Sequence, residues 1–133
     1  MKTLIKNATI INEGERFCGS LLIEDEHIAE IWRQKLPHIN KVQSVIDADG
    51  KLLLPGVIDD QVHFRDPGLT HKGDIASESK AALAGGVTSW MDMPNTVPQT
   101  ITQEALQKKF DRAAEVSATN YSFYMGATNE NIG

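Results

Sequence analysis

Apolar and polar positions follow two rhythms along this chain, and the change falls close to residue 55. From Met1 to about Leu54 the apolar residues come in short β-rich runs, Thr3–Ile11, Ser20–Glu24, Ile28–Trp32 and Val42–Ile46. Turn-forming groups such as Asn12-Glu13-Gly14 and Asp49-Gly50 separate them. Short strands with frequent turns predict a small antiparallel sheet or sandwich. The stretch Arg33 to Lys41, with Pro37, reads as a loop, and Glu24-Asp25-Glu26 as a solvated hairpin tip. Residues 1–54 are thus expected to form a β-rich subdomain, and residues 55–133 a second one.

The second part lengthens its period. A strand is predicted at about Val57–Phe64, then a helix at about Gly73–Ala84 that Gly85-Gly86 can terminate. Ile75, Ser79, Ala82 and Leu83 would form its inner face. A strand at Val87–Met93 follows. Thr102 can then cap a helix of about Gln103–Ser117, whose apolar stripe is Leu106, Phe110, Ala113 and Ala114. A third strand is predicted at Tyr121–Gly126. This β-α-β-α-β order, with a repeat of roughly 30 residues, predicts an α/β fold with a parallel sheet. A (β/α)₈ barrel needs about 250 residues. The chain would then hold the first three strands and two helices of an incomplete barrel belonging to a longer protein. A small standalone α+β domain is the alternative.

Within this pattern the segment Asp59-Asp60-Gln61-Val62-His63-Phe64-Arg65-Asp66-Pro67-Gly68 stands out. As a strand of period two it sets Asp59, Gln61, His63 and Arg65 on one face and Asp60, Val62 and Phe64 on the other. A strand buried on both faces carries a carboxylate, an amide, an imidazole and a guanidinium in a row only where one face looks into a site. Pro67-Gly68 ends the strand, so the row sits at its C-terminal end, where parallel α/β sheets and barrels place their chemistry.

Composition narrows the function classes. Hydrophobic residues make up 41% and charged residues 23%, an ordinary globular balance. The net charge is −5 and the basic residues are scattered, which argues against nucleic acid and anionic lipid as partners. No apolar run approaches the roughly 18–20 residues of a membrane span. Met1 to Asn7 lacks the apolar core of a signal peptide. Cys18 is the single cysteine, so no internal disulfide can form, and it reads as a buried or semi-buried strand residue. Together these features read as a soluble intracellular protein, and the single cysteine fits a reducing cytoplasm.

Two motifs then converge. Pro55-Gly56-Val57-Ile58-Asp59-Asp60-Gln61-Val62-His63-Phe64-Arg65-Asp66-Pro67-Gly68 and Gly85-Gly86-Val87-Thr88-Ser89-Trp90-Met91-Asp92-Met93-Pro94-Asn95-Thr96-Val97-Pro98 together resemble dihydroorotases, of the cyclic amidohydrolase family. Either motif alone would leave allantoinase or dihydropyrimidinase as near equals. Arg65 with Met93-Pro94-Asn95-Thr96 tips the choice. The resemblance implies a metal-dependent (β/α)₈ hydrolase of pyrimidine synthesis that interconverts N-carbamoyl-L-aspartate and L-dihydroorotate. It implies one or two Zn²⁺ ions, which would polarise the amide carbonyl and activate water. It implies that Arg65 and Asn95 bind the substrate carboxylate, that His63 ligates metal and that Asp59 orients a ligand.

Gln61 departs from the family pattern Asp-x-His-x-His-x-Arg, standing where the first metal histidine belongs. An amide oxygen is a much poorer zinc ligand than an imidazole. His71, after Gly68, is a candidate substitute. The family's remaining ligands and its catalytic aspartate come from later strands, so no catalytic residue is expected within this chain. Inactivity of the chain alone and self-association through open sheet edges are expected. A non-catalytic relative serving as a scaffold is the competing reading, motivated by Gln61.

Overall fold

The computed structural model describes residues 1–33, 36 and 38–132. The chain forms two compact units, Met1–Pro55 and Gly56–Gly133.

The first unit is one five-stranded sheet. Its strands are β1 (Lys2–Asn12), β2 (Glu15–Glu24), β3 (His27–Trp32), β4 (Ser44–Asp47) and β5 (Leu52–Leu53). Their order is β3-β2-β1-β4, with β5 also on β1. The β1–β2 turn puts Glu13 and Gly14 at φ 50° and 78°, both left-handed. That is the two-residue turn whose twist matches a hairpin. Glu24, Asp25 and Glu26 are exposed at the β2–β3 turn, as expected.

The sheet differs from the expected antiparallel arrangement in being mixed. β4 and β5 run parallel to β1, pairing Thr3–Lys6 with Ser44–Asp47 and Thr9–Ile10 with Leu52–Leu53. The chain reaches β4 by a long connection from β3 to the far side of β1, and so enters in the same direction as β1. Pro37, in the expected loop, lies outside the described residues. Leu4, Ala8, Ile10, Leu21 and Leu22 are buried. Cys18 is exposed, contrary to expectation. It pairs with Thr9 in the part of β2 that β3 does not reach.

The second unit contains β6 (Val57–Val62), α1 (Ile75–Ala84), β7 (Val87–Asp92), α2 (Gln103–Val116) and β8 (Asn120–Phe123). Its three strands form a parallel sheet in the order β6-β7-β8. Asp74 caps α1, and Thr102 caps α2 by accepting the Ala105 N–H at 3.2 Å. Gly85 N–H donates to Ala81 and Ala82, and Gly86 turns the chain out of the helix at φ 89°.

The core is Phe64, Ile75, Trp90, Ala113 and Phe123. The Trp90 ring lies 4.6 Å from Phe64 and 5.5 Å, edge-on, from Phe123. Phe110 meets Phe123 edge-on at 4.9 Å. Such tilted contacts are preferred by aromatic quadrupoles.

Two positions of the expected helix stripes fall outside the core. α1 covers the sheet with Ile75, Ser79 and Ala82, whereas Leu83 is 48% exposed. A helix turns about 100° per residue, so Leu83 is rotated clear of its neighbour's contact. On α2 the stripe is Leu106, Lys109, Phe110, Ala113 and Val116, and Ala114 is exposed. Met91 and Met93 are half-buried and stand outside the aromatic cluster.

Candidate functional site

The expected strand Val57–Phe64 ends two residues early, at Val62. Beyond it the chain stops pairing as a ladder, because other groups take the backbone. Met93 N–H donates to the Val62 carbonyl at 3.0 Å, and Phe64 N–H donates to the Asp92 carboxylate at 2.9 Å. Arg65 then adopts φ 68°. The four-residue polar row is therefore not one continuous strand face. Asp59 and Gln61 lie on β6, while His63 and Arg65 lie on the loop after it. Val62 and Phe64 do join the core together, as the alternation predicted.

The loop after β7 meets this loop. His63 Nδ1 donates to Asn95 Oδ1 at 3.0 Å, joining residues 32 positions apart. Val97 N–H donates to the Pro67 carbonyl at 3.2 Å. A side chain on Gly68, at φ 83°, would strike the Val97 carbonyl at 1.9 Å. Glycine is thus required there twice, for its conformation and for the close approach of the loops. Inside the second loop, Thr96 and Thr100 are buried, and both backbone N–H groups donate to the Pro94 carbonyl, at 2.9 and 3.0 Å. The two loops form one packed unit at the C-terminal ends of adjacent parallel strands.

The orientation at His63 has chemical consequences. With Nδ1 facing Asn95 Oδ1, Nε2 is the ring nitrogen left for another partner or ligand. With its oxygen occupied, Asn95 keeps its amide N–H₂ to offer. Arg65 is half-buried. A non-glycine residue at left-handed φ carries a backbone cost of about 1–2 kcal/mol, and such strain clusters at functional sites.

The remaining predicted residues do not join this contact. Asp59 Oδ1 accepts the Gln61 backbone N–H at 3.1 Å, its sole hydrogen-bond partner among the described residues. Gln61 and His71 are exposed. Among the described residues no group of three or more histidine, cysteine, aspartate or glutamate side chains is arranged to hold a metal ion. One imidazole with a neighbouring amide is too poor a donor set for zinc, so these residues by themselves do not fit the ion.

Sequence reasoning missed Lys109 and Asp92. Both side chains are 1% exposed, and Lys109 Nζ lies 2.6 Å from Asp92 Oδ2. A signal was present. Lys109 falls on the helix stripe between Leu106 and Phe110, and Asp92 is two positions from Trp90 on β7, so each pattern pointed its charge inward.

Comparison with known proteins decides the family. A family profile described as dihydro-orotase-like matches residues 50–132. The chain belongs to the dihydroorotase-like family. A dihydroorotase of Carboxydothermus hydrogenoformans is 50% identical over 101 residues, 74% of this chain and 23% of that protein. A dihydroorotase of Lactobacillus acidophilus is 37% identical over 130 residues, covering 98% of this chain and 29% of its relative. Among solved structures, an L-hydantoinase (dihydropyrimidinase) from Arthrobacter aurescens superposes with a TM-score of 0.88 at 28% identity. That match covers 97% of this chain and 28% of the hydantoinase. The chain of this dihydroorotase-like protein thus spans about a quarter of the length of the curated relatives it matches. No helix among its described residues is long and apolar enough to cross a membrane.

Proposed function

We propose that this chain carries the substrate-carboxylate clamp of a dihydroorotase, acting in cytoplasmic pyrimidine synthesis on L-dihydroorotate and N-carbamoyl-L-aspartate. The observation that carries the reading is the His63–Asn95 hydrogen bond at 3.0 Å. It brings the end of one motif to the end of the other and leaves the Asn95 amide N–H₂ group as a donor. Arg65, in the same loop as His63, supplies a planar cationic fork that suits a carboxylate. In this reading Arg65 and Asn95 bind and orient the substrate. His63 holds Asn95 through Nδ1 and keeps Nε2 as the nitrogen a metal in a complete enzyme would take. Two further assignments belong to it, a role for Asp59 in orienting neighbouring groups and a (β/α)₈ barrel whose first three strands are β6, β7 and β8.

The family's chemistry uses metal, and zinc is the ion this reading assigns to a complete enzyme. Gln61 and His63 alone do not hold it. Hydantoinase-type substrates are the second reading, favoured by the structural similarity to the Arthrobacter enzyme. The carboxylate separates the two, since 5,6-dihydrouracil has the dihydroorotate ring without it.

The test is a titration of the isotopically labelled chain with each compound, followed by NMR. L-Dihydroorotate should shift the Arg65 and Asn95 side-chain resonances, 5,6-dihydrouracil should not, and Arg65→Ala should remove the effect. Losing a charged hydrogen-bond partner weakens binding roughly 10–150-fold. Equal responses to the two compounds would overturn the carboxylate assignment in favour of the hydantoinase-type reading.

A further inference from the structure

Lys109 and Asp92 are the most deeply buried charges among the described residues, and the proposed substrate chemistry uses neither. A buried ion pair is weak evidence for stability, because desolvating two charges offsets most of their attraction. An apolar pair of similar volume could fill the same space. What the pair holds is therefore more informative than what it contributes to packing.

It holds main chain at the roots of both loops. Asp92 Oδ2 accepts from Lys109 Nζ at 2.6 Å, and Oδ1 accepts the Phe64 N–H at 2.9 Å. Lys109 Nζ also donates to the Met93 carbonyl at 3.2 Å and lies 4.7 Å from the centre of the Phe123 ring. Phe64 stands between His63 and Arg65. Met93 stands two residues before Asn95. The carboxylate takes over from the ladder where β6 ends, so it sets where the chain turns into the left-handed Arg65. The ammonium, anchored on α2, fixes the carboxylate and the Met93 carbonyl at once. A methyl or methylene group in either place could fill space but could not orient an N–H or a carbonyl.

We propose that Lys109 and Asp92 are positioning residues, which fix the backbone around Phe64 and Met93 and so hold His63 and Asn95 in hydrogen-bonding register. This rests on the reading of His63, Arg65 and Asn95 as the ligand site, but its first test needs no ligand. In the unaltered chain, amide exchange at Phe64 should be as slow as at the ladder amides of β7. Exchange as fast as at an exposed loop would overturn the proposal.

The second test is the double variant Asp92→Asn/Lys109→Met, which removes both charges and leaves no unpaired ion. Relative to Trp90, the Phe64 amide should lose roughly tenfold of its protection, the ratio expected when a hydrogen bond to a charged carboxylate becomes one to a neutral amide oxygen. The His63 ring, read by long-range ¹H–¹⁵N correlation, should change from one Nδ1–H tautomer to an averaged mixture. Leu83→Ala, at an exposed position of α1 outside the core cluster, should leave both readouts unmoved. A folded double variant that kept the tautomer and the Phe64 protection would show that the pair is merely structural. If the double variant does not fold, exchange in the unaltered chain decides alone. If the tautomer result holds but L-dihydroorotate perturbs neither Arg65 nor Asn95, the functional reading fails and the positioning role stands.

Discussion

Replacing Lys109 by methionine should be among the most destabilising single changes in this protein. Methionine nearly matches lysine in length and volume, so the cavity and overpacking costs are small. The loss is electrostatic. Asp92 is 1% exposed, and without the ammonium its Oδ2 keeps no partner among the described residues. Breaking a buried pair on one side costs about 3–5 kcal/mol. Domains of this size are stable by about 5–15 kcal/mol in total, so the change removes a large share. With a urea dependence of about 2 kcal/mol per molar, the unfolding midpoint should fall by about 1.5–2.5 M. Adding Asp92→Asn should recover most of that loss, because the buried group is then neutral and its oxygen can still accept the Phe64 N–H. The assay is urea unfolding followed by circular dichroism for the parent, both single variants and the double variant. A midpoint drop below about 0.5 M in Lys109→Met would refute the reasoning, as would a double variant no more stable than that single one.

Arg65→Gly relieves the left-handed backbone at φ 68° and should raise stability by up to about 1 kcal/mol while abolishing the response to L-dihydroorotate, measured by thermal melting and titration. The Ser77 backbone N–H, followed by the Ser77 hydroxyl, holds the Asp74 carboxyl below its ordinary range. A lowered folded pKa gives stability that is full above the unfolded value and is lost as pH falls through the folded one. Asp74→Asn does not titrate, so its melting-temperature deficit against the parent should be constant near neutrality and shrink below about pH 4; a constant deficit down to pH 2 would exclude the carboxylate cap. Zinc should bind the unaltered chain weakly, and Gln61→His should tighten it by pairing an imidazole with His63; equal affinities in a chelator competition would mean that position 61 does not face the metal. Ile58, on the open outer strand β6, is 70% exposed and Val57 is 54% exposed, so the chain should sediment as dimers or larger species, and a sharp monomer boundary at micromolar concentration would refute this.

Much of the second unit was legible because its signals are local. Thr102 and Gly85-Gly86 mark helix ends by side-chain chemistry and backbone freedom. The β-α-β-α-β rhythm implied parallel strands, since short turns cannot return the chain in the same direction. In the first unit the parallel entry of β4 and β5 depends on contacts with β1 about 40 residues away, which no local pattern encodes. At the site, residue types and motif spacing were legible, but the geometry was not. The early end of β6 results from a carboxylate 28 positions away competing for the Phe64 N–H. Arginine has no preference for left-handed backbone, so the turn at Arg65 is imposed by its surroundings rather than written in its own residue type.

Gln61 bears on whether the chain belongs to a working enzyme or to a scaffold that keeps the fold. Gln61 stands where the proposed reading expects a metal donor, but it touches neither partner of the His63–Asn95 bond. The features that would shape the proposed carboxylate clamp lie downstream of it, in the loops after β6 and β7. They carry costs that a fold kept only for assembly would not need. Arg65 occupies a conformation that glycine would adopt without strain, and a buried ion pair stands where apolar side chains could pack. Both costs have a use if a carboxylate must be gripped in a fixed place. Under the proposed reading, binding and turnover are separable. If L-dihydroorotate binds through Arg65 and Asn95 while zinc binds weakly, the proposed specificity stands apart from the reaction.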